Sequence, residues 1–259
     1  MVVVDKIQPH LPNLVIHQIQ SLLPTKSALR MSFLSKQWEG VWPLSPVIDF
    51  DQGGTHTDDE DNIKFINILE RYLEFCLKDK QLLDKFRLHM RYHGEGRTVT
   101  VVDIWVRFAV MRSIKELDIS LGSIWPDYYY LSLENLGGKS ITTLNLEYVA
   151  IDKISNELSL PSLKYVSLKT VRMDYSVIHR LISECPSMEY LSLTSCSLID
   201  RGKMSLATLF LYTSSSYNNL KTLEVRDCMF SYIRVTGINL ESFTLDSRYR
   251  HLKRVALCG

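Results

Sequence analysis

The spacing apolar-x-x-apolar-x-apolar recurs along this chain and constrains its fold more than any other feature. It is met at Leu83, Phe86, Leu88; Ile114, Leu117, Ile119; Ile141, Leu144, Leu146; and Leu163, Val166, Leu168. It returns at Met188, Leu191, Leu193; Leu220, Leu223, Val225; Leu240, Phe243, Leu245; and Leu252, Val255, Leu257. The last two members of each triplet are two residues apart, the period at which the side chains of an extended strand return to one face. A short strand with one apolar face is not stable alone, so each unit has to bury that face against its neighbours. Successive first positions are separated by 31, 27, 22, 25, 32, 20 and 12 residues. Most of these intervals lie near the period of about 20 to 29 residues expected of stacked strand-plus-helix units. The expected fold is therefore an α/β solenoid, with parallel strands on one side and helices or irregular segments on the other.

The segments between the triplets fit this scheme. DYSVIHRLISEC places Val177, Ile178, Leu181 and Ile182 on one helical face, as expected of a convex-side helix. IKFINILERYLEFCLK does the same with Ile66, Leu69, Leu73 and Cys76. VIDF at 47–50 reads as the first strand, and the Gly- and acid-rich stretch 51–61 as a solvated surface loop. Cys196 and Cys228 each fall eight residues after the first position of their unit, where a small side chain bonds the backbone of the turn. Five cysteines with no C-x-x-C pair indicate neither a disulfide framework nor a zinc ribbon, so these two read as structural. The last unit, starting at Leu252, would need a residue 260 to finish, and HLKRVALCG contains no polar capping unit. The expectation is a solenoid that stops in the middle of a repeat.

Residues 11–46 have a different pattern. Placed at 100° steps, Leu14, Val15, Ile16, Ile19, Leu22 and Leu23 cover an arc of roughly 200°, about twice the stripe of an ordinary surface helix. Leu29, Met31, Phe33 and Leu34 leave a second helix almost without a polar face, and Ser35 is placed to cap a third that carries Trp38, Val41 and Trp42. Such a short segment cannot enclose that many large side chains by itself. A simple cap on the solenoid's first strand would need one apolar face, and this segment offers at least two. Some of its surface is left for a partner.

Other classes of function find less support. With 30 basic and 29 acidic residues the formal net charge is +1, so no overall field points to nucleic acid or a membrane surface as partner. The amino terminus lacks a secretory pattern, no window approaches about 18 uninterrupted apolar residues, and no N-x-S/T sequon occurs. An intracellular protein of the nucleus, the cytoplasm or both is expected. No Gly-rich phosphate loop, nucleophile elbow or paired-carboxylate motif suggests an enzyme. His89 and His93 are four apart, but KFRLHMRYH reads as a strand running into a loop, so a metal pair is not expected there. Trp125, Tyr128, Tyr129 and Tyr130 form an aromatic cluster before a repeat strand, read as structural packing.

LPNLVIHQIQSLLPTKSALRMSFLSKQWEGVWPLSPVIDF resembles the F-box of plant F-box/leucine-rich-repeat proteins, including their FBD-type relatives. The likeness is carried by Leu11-Pro12, Leu23-Pro24-Thr25-Lys26, and Leu34-Ser35-Lys36 ahead of Trp38 and Trp42. LPSLKYVSLKTV, LISECPSMEYLSLTSC and NLKTLEVRDC resemble that family's repeats. The resemblance implies a tail at 1–10, a three-helix F-box at 11–46 and a solenoid at 47–259. It further implies docking on a Skp adaptor, and through it on a cullin and a RING subunit, while the repeats hold a client protein for ubiquitin transfer. Carried onto this sequence, the docking surface is Leu11, Pro12, Leu14, Val15, Ile16, Ile19, Leu22, Leu23, Pro24, Leu29, Leu34, Ser35 and Trp38. Asn13 stands where the family has an acidic residue and Gln20 where an aliphatic one is commoner. No catalytic residue, cofactor or metal is implied. The alternative is a shortened protein that occupies the adaptor, or serves as a scaffold, without delivering a client.

Overall fold

The computed structural model describes residues 11–258 apart from 24, 26, 28–30, 32–35, 40–45, 54–58, 77–82, 95, 124–127, 138, 152–157, 201–202, 205–206, 213–218, 237–239 and 247–253. The described helices are α1 (Asn13–Ser21), α2 (Lys36–Glu39), α3 (Asp59–Cys76), α4 (Arg97–Met111) and α5 (Tyr175–Glu184). The strands are β1 (Val47–Asp51), β2 (Lys85–Tyr92), β3 (Glu116–Ser123), β4 (Tyr129–Leu131), β5 (Thr143–Glu147), β6 (Val149–Ile151), β7 (Tyr165–Lys169) and β8 (Arg172–Asp174). They continue as β9 (Tyr190–Thr194), β10 (Ser197–Asp200), β11 (Lys203–Met204), β12 (Ala207–Tyr212), β13 (Thr222–Arg226), β14 (Phe230–Thr236), β15 (Ser242–Asp246) and β16 (Arg254–Cys258).

Eight strands form one parallel sheet in the order β1-β2-β3-β5-β7-β9-β13-β15. Their pairing keeps the apolar triplets in register. Ile48, Phe86, Leu117, Leu144, Val166, Leu191, Leu223 and Phe243 form one inward column, partner to partner. Phe50, Leu88, Ile119, Leu146, Leu168, Leu193, Val225 and Leu245 form the next. A slip of one residue would turn a whole column to solvent, which is why the register is so strongly specified. The inward residues from Ile48 to Val225 are nearly all fully buried in one continuous core, while Leu240, Phe243 and Leu245 of the last unit are only partly covered. VIDF is the first strand, as the sequence indicates.

The Leu252 triplet behaves differently from the other seven. Its strand, β16, pairs with β14 in a three-stranded sheet, Ile233 opposite Val255 and Val235 opposite Leu257, and takes no place in the eight-stranded one. The last two triplets thus belong to two different sheets, so the twelve residues between their first positions do not measure a shortened repeat of the eight-stranded one. The acidic stretch is corrected as well: Asp59, Glu60 and Asp61 open α3, where carboxylates favour the positive end of a helix, so the loop is shorter than 51–61. The middle one of the three expected amino-terminal helices, with Leu29 and Leu34, lies largely outside the described residues.

α3 and α4 close the core at its amino-terminal end. Trp105 on α4 is buried against Phe50 of β1, Tyr72 of α3, Phe86 of β2 and Phe108 of its own helix, at ring-centroid distances of 5.1, 5.7, 5.6 and 5.2 Å. α5 buries Val177, Ile178, Leu181 and Ile182 as its periodicity requires, and Asp174 caps it by accepting from Ser176 N at 2.8 Å.

Four strands of the eight-stranded sheet are left through a tight turn. Tyr148, Thr170, Ser195 and Asp227 follow β5, β7, β9 and β13 with φ of 56°, 52°, 52° and 50°. Their backbone N–H groups donate to carbonyls of the next repeat, Lys169, Thr194, Arg226 and Asp246, at 2.8 to 3.1 Å. The left-handed conformation costs a residue with a Cβ about 1–2 kcal/mol, most clearly a β-branched one. Thr170→Asn, in which the side chain tolerates that region, should therefore raise the melting temperature by about 2–4 °C in calorimetry.

Cys196 and Cys228 occupy the positions just after two of these turns. Cys196 Sγ–H donates to Leu168 O at 3.2 Å, and Cys228 Sγ–H to Leu193 O at 3.4 Å, so each thiol ties its turn to a strand carbonyl. Burial pushes the Cys185 thiol from an ordinary value near 9.0 up to about 12 and raises Cys196 and Tyr129 as well. A raised folded-state pKa means that the neutral form is favoured in the fold, so this stability is full below about pH 9 and is lost as pH climbs through the folded values. Thermal unfolding followed against pH should show the melting temperature flat near neutrality and falling steadily above that point.

Candidate functional site

α1 starts where Pro12 ends the preceding chain, and the Pro12 carbonyl accepts from Val15 N at 2.9 Å and Ile16 N at 3.2 Å. At about 100° per residue, Leu14, Leu22 and Val15 lie within one arc of roughly 100°, and Ile16 about 200° from Leu14. Exposure follows those angles. Leu14 is 83% and Leu22 80% exposed, Val15 and Leu11 about half as much, while Ile16 is fully buried. Ile19, between the two faces, is half-buried, and Leu23 packs against the solenoid core. Trp38 on α2 is half-buried, and Pro12 is exposed.

The residues carried over from the sequence as a docking surface do not all face the same way. Ile16 faces inward and belongs to the packing beneath the helix, because a helix that exposes Leu14 must turn Ile16 away. Leu11, Pro12, Leu14, Val15 and Leu22 form the outward set. Pro24, Leu29, Leu34 and Ser35 lie outside the described residues. The segment is fastened to the solenoid through Thr25, whose Oγ1 accepts from Asp49 N of β1 at 2.8 Å, and Gln37 Nε2 donates to the Leu11 carbonyl.

Large aliphatic side chains more than three-quarters exposed on a short helix are unusual when they cluster on one face, and such clusters mark surfaces that another protein covers. Their neighbour Gln18 is also exposed. No charge crosses this face among Leu11, Leu14, Val15, Gln18 and Leu22.

The outward columns of the eight-stranded sheet form a second surface. At its amino-terminal end, Arg87 is held by Asp49 at 3.3 Å, Asp51 at 3.1 Å and Asp118 at 3.7 Å. His89 Nε2 is 2.9 Å from Asp118 Oδ1, so this histidine is engaged with a carboxylate on the next strand. Lys85 meets Glu116 at 2.6 Å, and farther along Lys169 meets Glu147 at 2.7 Å and Arg226 meets Glu224 at 3.2 Å. These pairs are partly exposed and each contributes little to stability, about 0–1 kcal/mol, but they mutually cancel much of the surface field.

Between the charged flanks the face is neutral. Thr143, Asn145, Ser167, Ser192 and Thr194 surround two tyrosines, Tyr165 and Tyr190, which stand directly opposite each other on β7 and β9. Sequence reading passed over this pair, although a signal was present: both tyrosines hold the same template position, one residue before Val166 and Leu191. The Trp125, Tyr128–Tyr130 cluster is divided by the structure. Tyr129 is buried, with its hydroxyl donating to Asp103 at 2.6 Å; Tyr130 is exposed; Tyr128 carries the Arg172 guanidinium over its ring at 4.9 Å; and Trp125 lies outside the described residues.

A comparison with family models matches residues 78–258 to the LRR domain described as At1g61320/AtMIF1. Among curated proteins of Arabidopsis thaliana, the putative F-box/LRR-repeat protein At4g15060 is 28% identical, over 98% of this chain and 67% of its own length. The putative FBD-associated F-box protein At5g22720 is 28% identical over 96% of this chain and 52% of its own, and the F-box/FBD/LRR-repeat protein At5g22700 is 30% identical over 82% and 45%. The chain thus spans two thirds of the first and about half of the other two. No solved structure matches it.

Proposed function

Because this chain belongs to the plant F-box/leucine-rich-repeat family, we propose that it is a substrate-receptor subunit of an SCF-type cullin-RING ubiquitin ligase. In this reading it is a non-catalytic protein with two binding surfaces. The outward face of α1 docks on a Skp adaptor, which links it to the cullin, and the outward columns of the eight-stranded sheet hold a client protein. The observation that carries the reading is the exposure of Leu14 and Leu22 on one uncharged face. Sheltering a fully exposed leucine from water is worth about 1.5–3 kcal/mol, so several of them can offset the entropy lost on association.

The solenoid supports the second half of the reading by its shape. In-register parallel strands present residues from eight successive units on a continuous surface, as a receptor for an extended client needs. The location is proposed to be the nucleus, the cytoplasm or both, where such ligases would meet their clients.

Affinity purification of the tagged chain from plant cells, with the proteasome blocked, tests the proposal. Recovery of a Skp protein, a cullin and a ubiquitinated client together is the expected result. Recovery of the adaptor with no client would replace the receptor by an adaptor competitor, and failure to recover the adaptor would remove the ligase reading.

A further inference from the structure

On an open parallel sheet an outward-facing serine would normally be solvated, yet Ser192 is only 7% exposed. Burial raises the Tyr190 hydroxyl above its ordinary pKa, and the neighbouring Glu224 carboxylate adds to the rise; Glu224 is itself 3.2 Å from Arg226. The Tyr190 ring is half-buried on the outward face of β9. Tyr165, one strand before, is 48% exposed, and its ring centroid is 6.4 Å from that of Tyr190 with the planes inclined at 44°. Together the rings make a shallow wedge open to solvent.

The surroundings define what could enter it. Thr143, Asn145 and Ser167 adjoin the rings on one side and Thr222 on the other, and all are uncharged. Hydroxyl and amide groups can donate and accept, so they suit the N–H and C=O groups of an extended chain in either direction. The nearest charges, Lys164 with Glu189, Glu147 with Lys169 and Glu224 with Arg226, already have partners within 4.0 Å. A charged segment would have to displace them or meet both signs at once, whereas a neutral one leaves them intact. A tyrosine ring loses little rotamer freedom on binding, which is why tyrosines anchor so many recognition surfaces.

We propose that Tyr165 and Tyr190 are the seat for an extended, uncharged client segment bearing an aromatic or proline side chain, and that this seat selects the client. The inference rests on the receptor reading above. It places selection at the neutral centre of the face and leaves the ion-paired strands β1 to β3 as bystanders.

A random-peptide library selected on the full-length chain tests the assignment, with the enriched peptides then titrated against variants by fluorescence anisotropy. The expected result is enrichment of uncharged sequences containing aromatic residues or proline. Tyr165→Ser with Tyr190→Ser should weaken the enriched peptides by at least about thirtyfold, the scale of an interface hot spot. Tyr190→Phe keeps the ring and should leave binding within about threefold of the parent. Lys85→Gln with Glu116→Gln, on the charged flank, should leave binding unchanged. Melting curves for each variant should overlay that of the parent, which checks that it is folded.

The seat is overturned if the library yields no binder, if the binders are charged and respond to the Lys85/Glu116 variant, or if they ignore both tyrosines. Adaptor capture by the same preparations separates the two levels of the argument. Capture with ring-independent peptides removes the seat and leaves the receptor; ring-dependent peptides without capture keep the seat and remove the ligase role.

Discussion

Leu14→Asp combined with Leu22→Asp should abolish capture of a Skp adaptor, by at least about a hundredfold in affinity, while the melting temperature stays within a few degrees of the parent. The binding term is large because two effects add. Each leucine forfeits about 1.5–3 kcal/mol of burial, and each carboxylate carried into a dry interface without a partner costs several kcal/mol more. The folding term is small because neither leucine is packed in the free chain, where they are 83% and 80% exposed. An aspartate in the first turn of α1 even favours the helix dipole, and α1 has no acidic residue there now. Adaptor capture by surface plasmon resonance, read beside a thermal melt, is the measurement. Undiminished capture would move the docking surface away from this face, and a collapse of the melt would show that the leucines are structural.

Trp105→Ala should be the most damaging single truncation in the solenoid, costing about 3–5 kcal/mol. The indole is 1% exposed and is the point at which β1, β2, α3 and α4 meet, with Phe50, Tyr72, Phe86 and Phe108 all within 5.7 Å between ring centroids. None of these large rings can collapse into the space without leaving its own rotamer, so much of the cavity would persist. At about 2–4 °C per kcal/mol the melting temperature should fall by about 6–20 °C. Trp105→Phe should fall well short of that, since it keeps a ring in the stack and discards an indole N–H that has no acceptor among the described residues. Equal losses for the two variants would mean that the indole's edge, and not its stacked face, holds the elements together. Because β1 is also the strand that receives Thr25, hydrogen exchange in Trp105→Ala should rise along the Thr25–Asp49 contact as well.

The triplet spacing by itself determined the layers of this protein. Period two settles which side chains of a strand share a face, so the inward columns through Leu117, Leu144, Val166, Leu191 and Leu223 could be written from the sequence, as could the buried face of α5 and the turn positions of Cys196 and Cys228. Each of those is a local property, decided by backbone geometry within a few residues. The apolar excess around Leu14 to Leu23 was legible for the same reason.

What a face meets is a different matter, because contact depends on residues far away in the chain. The triplet at Leu252 has the same local pattern as the others, yet its strand pairs with β14 and joins a separate sheet. The excess on α1 could be counted from the sequence, but which part is hidden could not, since Ile16 and Leu14 differ only in which one the rest of the molecule happens to cover. Tyr190 shows the same limit at the scale of one side chain: its place on the outward column follows from alternation, and its ring contact with Tyr165 exists only once β7 and β9 are side by side.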